Sequence, residues 1–225
     1  MSVKNKLTML FKNIDSTSLE DLPKKGLKIG VKFDNNFLGI ILDKSKVDIV
    51  DSLDRMDNEI VTDEISLNEF LEGKKSLIDL IIDGKILLRG KLSNLLKIIS
   101  GISNESFKLG LEESNICKVL KAVFEGICNR NDEILKQIRN FNAAFQFSDF
   151  QGNECCLDIS GGRFAVTEGR CNVRPTASIS AEREVWNKIF RGEENIGIIA
   201  MNGEAKIEGN LIQAFKLKTI IDKIL

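Results

Sequence analysis

Histidine and tyrosine are both missing from this chain of 225 residues. Without histidine there is no side chain that ordinarily titrates near neutrality, no imidazole metal ligand, and no Ser-His or Cys-His nucleophile pair. Catalysis would fall to lysine or to carboxylates such as Asp149, Glu154 and Asp158. Those acids sit at expected strand ends and turns, with no paired acid/base spacing. No catalytic residue, cofactor or metal site is therefore assigned. Charge of one sign is lacking too: 32 Lys and Arg face 33 Asp and Glu, a formal net charge of −1. The bulk balance points to no nucleic-acid partner and no anionic membrane.

Long apolar runs are absent as well. Nothing approaches the roughly 18–20 consecutive apolar residues of a membrane span, so no integral membrane segment is expected, which leaves room for transient membrane contact. The opening MSVKNKLTMLFKNID is broken by Lys4, Asn5, Lys6 and Lys12 and lacks the apolar stretch and cleavage site of a signal peptide. A cytoplasmic location is expected. Five cysteines (Cys117, Cys128, Cys155, Cys156, Cys171) are odd in number and show no CxxC spacing. In a strand, Cys155 and Cys156 point to opposite faces; the reading is buried free thiols in a reducing compartment.

What is present is an ordinary globular composition, 43% hydrophobic and 29% charged, and an internal repeat. Gly73, Gly84 and Gly90 recur as Gly192, Gly203 and Gly209 at a constant offset of 119, with Asn68/Asn187, Leu92/Leu211 and Lys97/Lys216 also in register. A period of this length is the size of a small domain rather than a solenoid repeat. Two copies of one module are expected, residues 1–105 and 106–225, with the short polar stretch Ser103–Ser106 at the boundary.

Apolar spacing predicts a helix over residues 2–14, then a loop at Pro23 and Gly26. Strands are expected at Leu27–Phe33, Phe37–Leu42, Val47–Val50 and around Ile60. Ser66 is the expected cap of a helix over 67–72 ending at Gly73. Leu77–Ile82 and Ile86–Leu88 are read as a hairpin turning at Asp83-Gly84, followed by a helix from Leu92. The middle of the chain is helical, through Ile116, Leu120, Val123, Phe124 and Ile127 and again from Asn131 or Asp132. The second module then has strands at Phe145–Phe147, Cys155–Ile159, Phe164–Val166 and Arg170–Ile179, and a helix over Glu184–Phe190. An expected hairpin, Ile196–Met201 and Ala205–Ile207, turns at Asn202-Gly203 before the last helix. Gly84, Gly90, Gly203 and Gly209 read as backbone-shape glycines; no GxxxxGK[ST] phosphate loop occurs. Lys24-Lys25 and Lys74-Lys75 read as solvated loops.

The order QFSDFQGNECCLDISGGRFAVTEG, ASISAEREVWNKIFRG and AMNGEAKIEGNLIQAFKL resembles the sterol carrier protein 2 (sterol transfer) family. Gly161, Gly169, Gly192, Gly203, Gly209 and Asn210 occupy the family's glycine-turn places. The likeness covers residues 132–225 well and 27–100 weakly. At the same offset the first copy departs from it: Leu42 and Asp43 stand for the double glycine, Val50 for Gly169 and Lys91 for Asn210. The resemblance implies an α+β fold of two tandem sterol-carrier-like domains, each a mixed sheet of about five strands with helices on one face. It implies non-catalytic binding or transfer of a lipid, fatty acyl or other elongated apolar ligand, chiefly by the second copy.

A lipid cavity needs concave apolar walls and few polar groups. The candidates are Phe145, Phe147, Leu157, Phe164 and Val166 on strands, Trp186, Ile189 and Phe190 on the middle helix, and Met201, Ile207, Phe215 and Ile220 beyond it. Each also reads as ordinary core. If the cavity is filled, the chain is instead a pocket-less interaction or scaffold protein built from a duplicated domain. Ile, Lys and Asn usage suggests an AT-rich bacterial source; no partner protein is indicated.

Overall fold

The computed structural model describes residues 1–14, 25–44, 46–100, 110 and 114–224. The chain divides into two compact units, residues 1–110 and 111–225. Pro23, Lys24 and Ser103–Ser106 lie outside the described residues.

The first unit opens with helix α1 (Val3–Lys12), which Ser2 caps by accepting the Asn5 N–H, and which buries Val3, Leu7 and Phe11. Strands β1 (Leu27–Phe33), β2 (Asn36–Asp43) and β3 (Lys46–Val50) form an antiparallel meander, and β4 (Asn58–Thr62) returns parallel to β1. With β5 (Leu87–Arg89) the sheet order is β3-β2-β1-β4-β5. Leu27, Ile29, Val31 and Phe33 pack inward opposite Leu42, Ile40 and Leu38, as the two-residue period of a strand requires. On the outer face the glycine pair Gly30 and Gly39 leaves a hollow, filled by Met56 against the first and Leu53 against the second.

Two expectations fail between β4 and β5. Helix α2 (Glu64–Leu71) is capped by Asp63, whose carboxylate accepts the Ser66 N–H at 2.7 Å; Ser66 lies inside the helix. Leu77–Ile82 is not a strand but helix α3, capped by Ser76 through the Asp79 N–H at 3.1 Å. Five apolar residues around Asp79 fit a buried strand or a buried helical turn equally well, and the cap decides. Helix α4 (Leu92–Ser100) closes the unit.

The second unit begins with α5 (Ile116–Lys121), capped by Asn115, which runs on through a π turn (Ala122–Ile127) and a 3-10 turn (Cys128–Arg130). Helix α6 (Asp132–Ile138) starts at Asn131, whose side chain accepts the Glu133 and Ile134 N–H groups. Strands β6 (Ala143–Asp149), β7 (Glu154–Ser160), β8 (Arg163–Glu168), β9 (Ala177–Ala181) and β10 (Ala205–Gly209) give the order β10-β9-β6-β7-β8, with β6 and β9 parallel. Helices α7 (Arg183–Phe190) and α8 (Ile196–Met201) precede β10, and α9 (Leu211–Ile221) follows it. Here too the expected strand at Ile196–Met201 is a helix, capped by Asn195 through the Gly197 N–H. Gly84 and Gly203 have positive φ (+70° and +80°) as the residues that end these short helices, not as hairpin turns. Of the expected strand Arg170–Ile179 only Ala177–Ile179 is ladder, and β9 runs two residues further to Ala181.

The sheets thus share strand order and the central parallel pair. From β4 and β9 onward, elements correspond at 119 residues, as Glu64/Arg183, Leu77/Ile196 and Leu92/Leu211 show. Earlier the offset shrinks: Leu27 and Ala143, which open β1 and β6, are 116 apart, and their partners Leu42 and Ile159 are 117 apart. The counterpart of the Gly161-Gly162 turn therefore begins at Lys44, not Leu42, and Val50 corresponds to Thr167, not Gly169.

The cysteine reading is corrected in part. Cys156 and Cys171 form a disulfide, while Cys117, Cys128 and Cys155 are buried thiols. Cys156 points to the outer face, and the disulfide holds the segment before β9 against that face. Gln146 assists: its amide donates to the Gly169 carbonyl at 3.2 Å and its oxygen accepts the Cys171 N–H at 2.8 Å. Burial pushes the Cys128 thiol up.

Candidate functional site

In the second unit a cleft of about 270 Å³ lies between the β9–β10 edge and helices α8 and α9. Ile179, Ala205 and Ile207 form its sheet wall; Ile196, Gly197, Ala200 and Met201 come from α8. Helix α9 supplies Leu211, Ala214, Phe215, Leu217, Lys218 and Ile221. Asn195 and Asn210 fix the starts of α8 and α9, the latter by accepting the Gln213 N–H at 3.2 Å. Among the described residues, Lys218 is the one charged side chain on the wall. Its ammonium binds Asp222, and its stem lies across Gly197, where an added Cβ would meet Lys218 Cε at 3.2 Å. Met201, Leu211 and Phe215 are exposed, so the apolar wall continues out to the rim.

Three of the twelve sequence candidates, Met201, Ile207 and Phe215, are brought together here. Phe145, Phe147, Leu157, Phe164, Val166, Trp186, Ile189 and Phe190 are buried core and do not line the cleft. Phe147 meets Trp186 edge-on at 5.7 Å, Trp186 stacks on Phe190 at 6.1 Å, and the Trp186 indole N–H donates to the Ser148 carbonyl at 3.1 Å. Phe164 packs on Phe124 at 5.2 Å. Large rings fill space well and seldom leave any. Ile220 falls on another side of α9, in a more open and more polar recess of about 340 Å³ with Gln137, Asn140, Phe141, Lys216 and Thr219.

The residues that open the cleft are the small ones. At the offset of 119, Gly197, Ala200, Ala205 and Ala214 correspond to Ile78, Ile81, Ile86 and Leu95 in the first unit. There the matching cavity is about 40 Å³, room for roughly one water. It shares six wall positions with the cleft: Ile60, Leu77, Ile86, Leu95, Ile98 and Ile99 match Ile179, Ile196, Ala205, Ala214, Leu217 and Lys218. Leu7, Leu10 and Phe11 of α1 close it further. Helix α1 is held there by Lys6, which donates to Asn68 at 3.0 Å and to Glu72 at 2.8 Å. Lys6, with Lys74, pulls the Glu72 carboxyl down to about 2.

Among the described residues no group of three or more Cys, Asp or Glu side chains is placed to hold a metal ion, and no helix is long and apolar enough to cross a membrane.

Residues 120–222 match the SCP-2 sterol transfer family. Among solved structures, the chain resembles sterol carrier protein 2 from Yarrowia lipolytica in its apo form, at 19% identity and TM-score 0.34, covering 40% of this chain and 73% of that one. It also resembles palmitated SCP2L2 from Aedes aegypti, at 19% identity and TM-score 0.34, covering 46% and 96%. The inverting sec-alkylsulfatase Pisa1 from Pseudomonas sp. matches at 11% identity and TM-score 0.43, over 54% of this chain but only 18% of the sulfatase. Comparison with curated protein sequences gave no match.

Proposed function

We propose that the second unit binds or transfers, without catalysis, a lipid or other elongated apolar molecule seated in the cleft between β9–β10 and α8–α9. The first unit is then a degenerate copy of the same domain, closed at the corresponding place. The family match over residues 120–222 supports lipid handling in general. The observation that carries the finer reading is the exchange of Gly197, Ala200, Ala205 and Ala214 for Ile78, Ile81, Ile86 and Leu95 between equivalent elements. The common strand order supports the duplication.

Energetics suit a single chain. At about 30 Å³ per methylene-sized group, the cleft takes on the order of nine. Each buried methylene contributes about 0.8 kcal/mol, so the gross gain is ~7 kcal/mol and the affinity is micromolar or weaker. The pocket-less scaffold reading fits the first unit, whose cavity holds no more than a water.

The test copies the first unit into the second. Ala205→Ile with Ala214→Leu installs residues that the same fold already accommodates. Binding of a dansyl-labelled undecanoate to the full chain, read by energy transfer from Trp186, is expected to weaken at least tenfold while unfolding of the second unit is unchanged or shifts to higher urea. Equal binding by the double variant, or no binding by the native chain together with no extractable lipid, overturns the proposal.

A further inference from the structure

Helix α9 is apolar on two sides. Ala214, Leu217, Ile220 and Ile221 are buried, yet Leu211, Ile212 and Phe215 on the opposite side are exposed, Ile212 at 72% and Phe215 at 58%. A helix that is apolar all round normally lies in an interior or against another surface. The first unit offers an internal comparison: Ser93 and Leu96, the counterparts of Ile212 and Phe215, are 5% and 0% exposed. Ile198 and Met201 of α8 are exposed as well and extend the patch beside the cleft mouth.

The charged residues on the exposed stripe of α9 are lysines. With 3.6 residues per turn, Ile212, Phe215, Lys216 and Thr219 fall in one stripe, and Lys223 follows on the turn after the helix. No carboxylate pairs with Lys216 or Lys223 among the described residues. Lys216 instead lies 5.9 Å over the Phe141 ring. Asp222, the one acid on the last two turns, is bound by Lys218. Nearby, Glu208 is paired with Lys206 at 2.6 Å, leaving Glu204 on the turn after α8. The neutral bulk charge of the chain conceals this local, cationic and apolar arrangement.

We propose that this face of α9, with Ile198 and Met201 of α8, docks on an anionic lipid surface. Ile212 and Phe215 enter the acyl boundary, while Lys216 and Lys223 reach back to the phosphates along their methylene stems. Because Met201, Leu211 and Phe215 are both rim and cleft wall, docking sets the mouth against the hydrocarbon layer. Surface binding goes beyond the cleft reading, since it holds whether or not a ligand is bound.

Co-sedimentation of the full chain with vesicles tests it. The native chain is expected to bind vesicles of phosphatidylcholine mixed with phosphatidylglycerol, to bind phosphatidylcholine alone far more weakly, and to be released by salt. Lys216→Gln with Lys223→Gln is expected to lose about 25-fold, a factor of about five per lysine. Ile212→Ser loses at least tenfold, although Ile212 does not line the cleft, so acyl-probe binding stays native in both variants. Equal binding to both vesicles, no binding to either, or unchanged binding by these variants overturns the proposal. So does a dimer in sedimentation velocity that Ile212→Ser abolishes, which gives the face to a second copy. Loss of probe binding with vesicle binding intact counts against the cleft reading alone.

Discussion

Gly209 and Gly203 both have positive φ, but only one of them has no room for a side chain. At Gly203 (φ +80°) nothing lies within 4 Å of an added Cβ. Gly203→Ala therefore costs only the left-handed penalty of about 1–2 kcal/mol, partly offset by about 0.4–1 kcal/mol from a stiffer unfolded chain. At Gly209 (φ +96°) the Cβ would sit 2.7 Å from the Thr176 carbonyl oxygen and 3.0 Å from Ala177 Cα. Both obstacles are backbone and cannot rotate away. That carbonyl also accepts the Asn210 N–H at 2.9 Å, at the entry to α9. Weakening this bond adds about 1 kcal/mol, so Gly209→Ala should cost ~3 kcal/mol against ~1 kcal/mol for Gly203→Ala. Trp186 is the sole tryptophan, is buried in the second unit, and has no tyrosine to compete with it. Its fluorescence during urea unfolding reports that unit alone. With an m-value of about 1–3 kcal/mol/M, the two variants should differ in midpoint by about 1 M. Coincident midpoints would refute the steric argument.

Two further outcomes follow from the packing. Replacing Cys156 and Cys171 with Ser releases a loop with a sequence separation of 15, which should destabilise the second unit by about 2–3 kcal/mol. Gln146 still tethers the loop, so the variant folds; a reductant should move the native Trp186 midpoint to that of the variant, and no reductant effect would contradict the disulfide's role. In the first unit, Lys32 at 2.5 Å holds the Glu59 carboxyl below its ordinary value of 4.5, burial opposes it, and Arg89 at 2.8 Å adds to the lowering. A depressed carboxyl contributes stability that is full above its unfolded pKa and is lost as pH falls through the lower folded value. Acid unfolding followed by circular dichroism should therefore flatten below about pH 4.5 in Glu59→Gln; an unchanged profile would count against the ion-pair account.

Much of the fold was legible from the sequence. Alternating burial in β1 and β6 follows the apolar pattern of Leu27–Phe33 and Phe145–Phe147, and the offset of 119 places every helix start after β4. Leu77–Ile82 and Ile196–Met201 read as strands because short, largely apolar windows carry no clear period. Ser76 and Asn195, in cap position, were the available signal. Turn insertions hid the offset of 116, since a fixed comparison cannot see a gap. The site was less legible. Aromatic residues draw attention, yet Phe145, Phe147, Phe164 and Trp186 are packed solid, whereas a void is marked by what is small. Comparing Ala205 with Ile86 and Ala214 with Leu95 across the repeat would have pointed to it. The disulfide gave no signal, because Cys156 and Cys171 are brought together by a loop crossing the sheet that spacing does not reveal.

The parallel pair at the centre of each sheet sets an order of events for a nascent polypeptide. β1–β3 and β6–β8 are meanders in which each strand finds its neighbour nearby. β4 and β9 must instead return past a whole meander, closing a span of roughly thirty residues before their ladders zip. Until that returning strand leaves the ribosome, β1 or β6 keeps one flank without a ladder partner. A translational pause at that stage exposes an open sheet edge, the kind of segment that aggregates or that holdase chaperones shield.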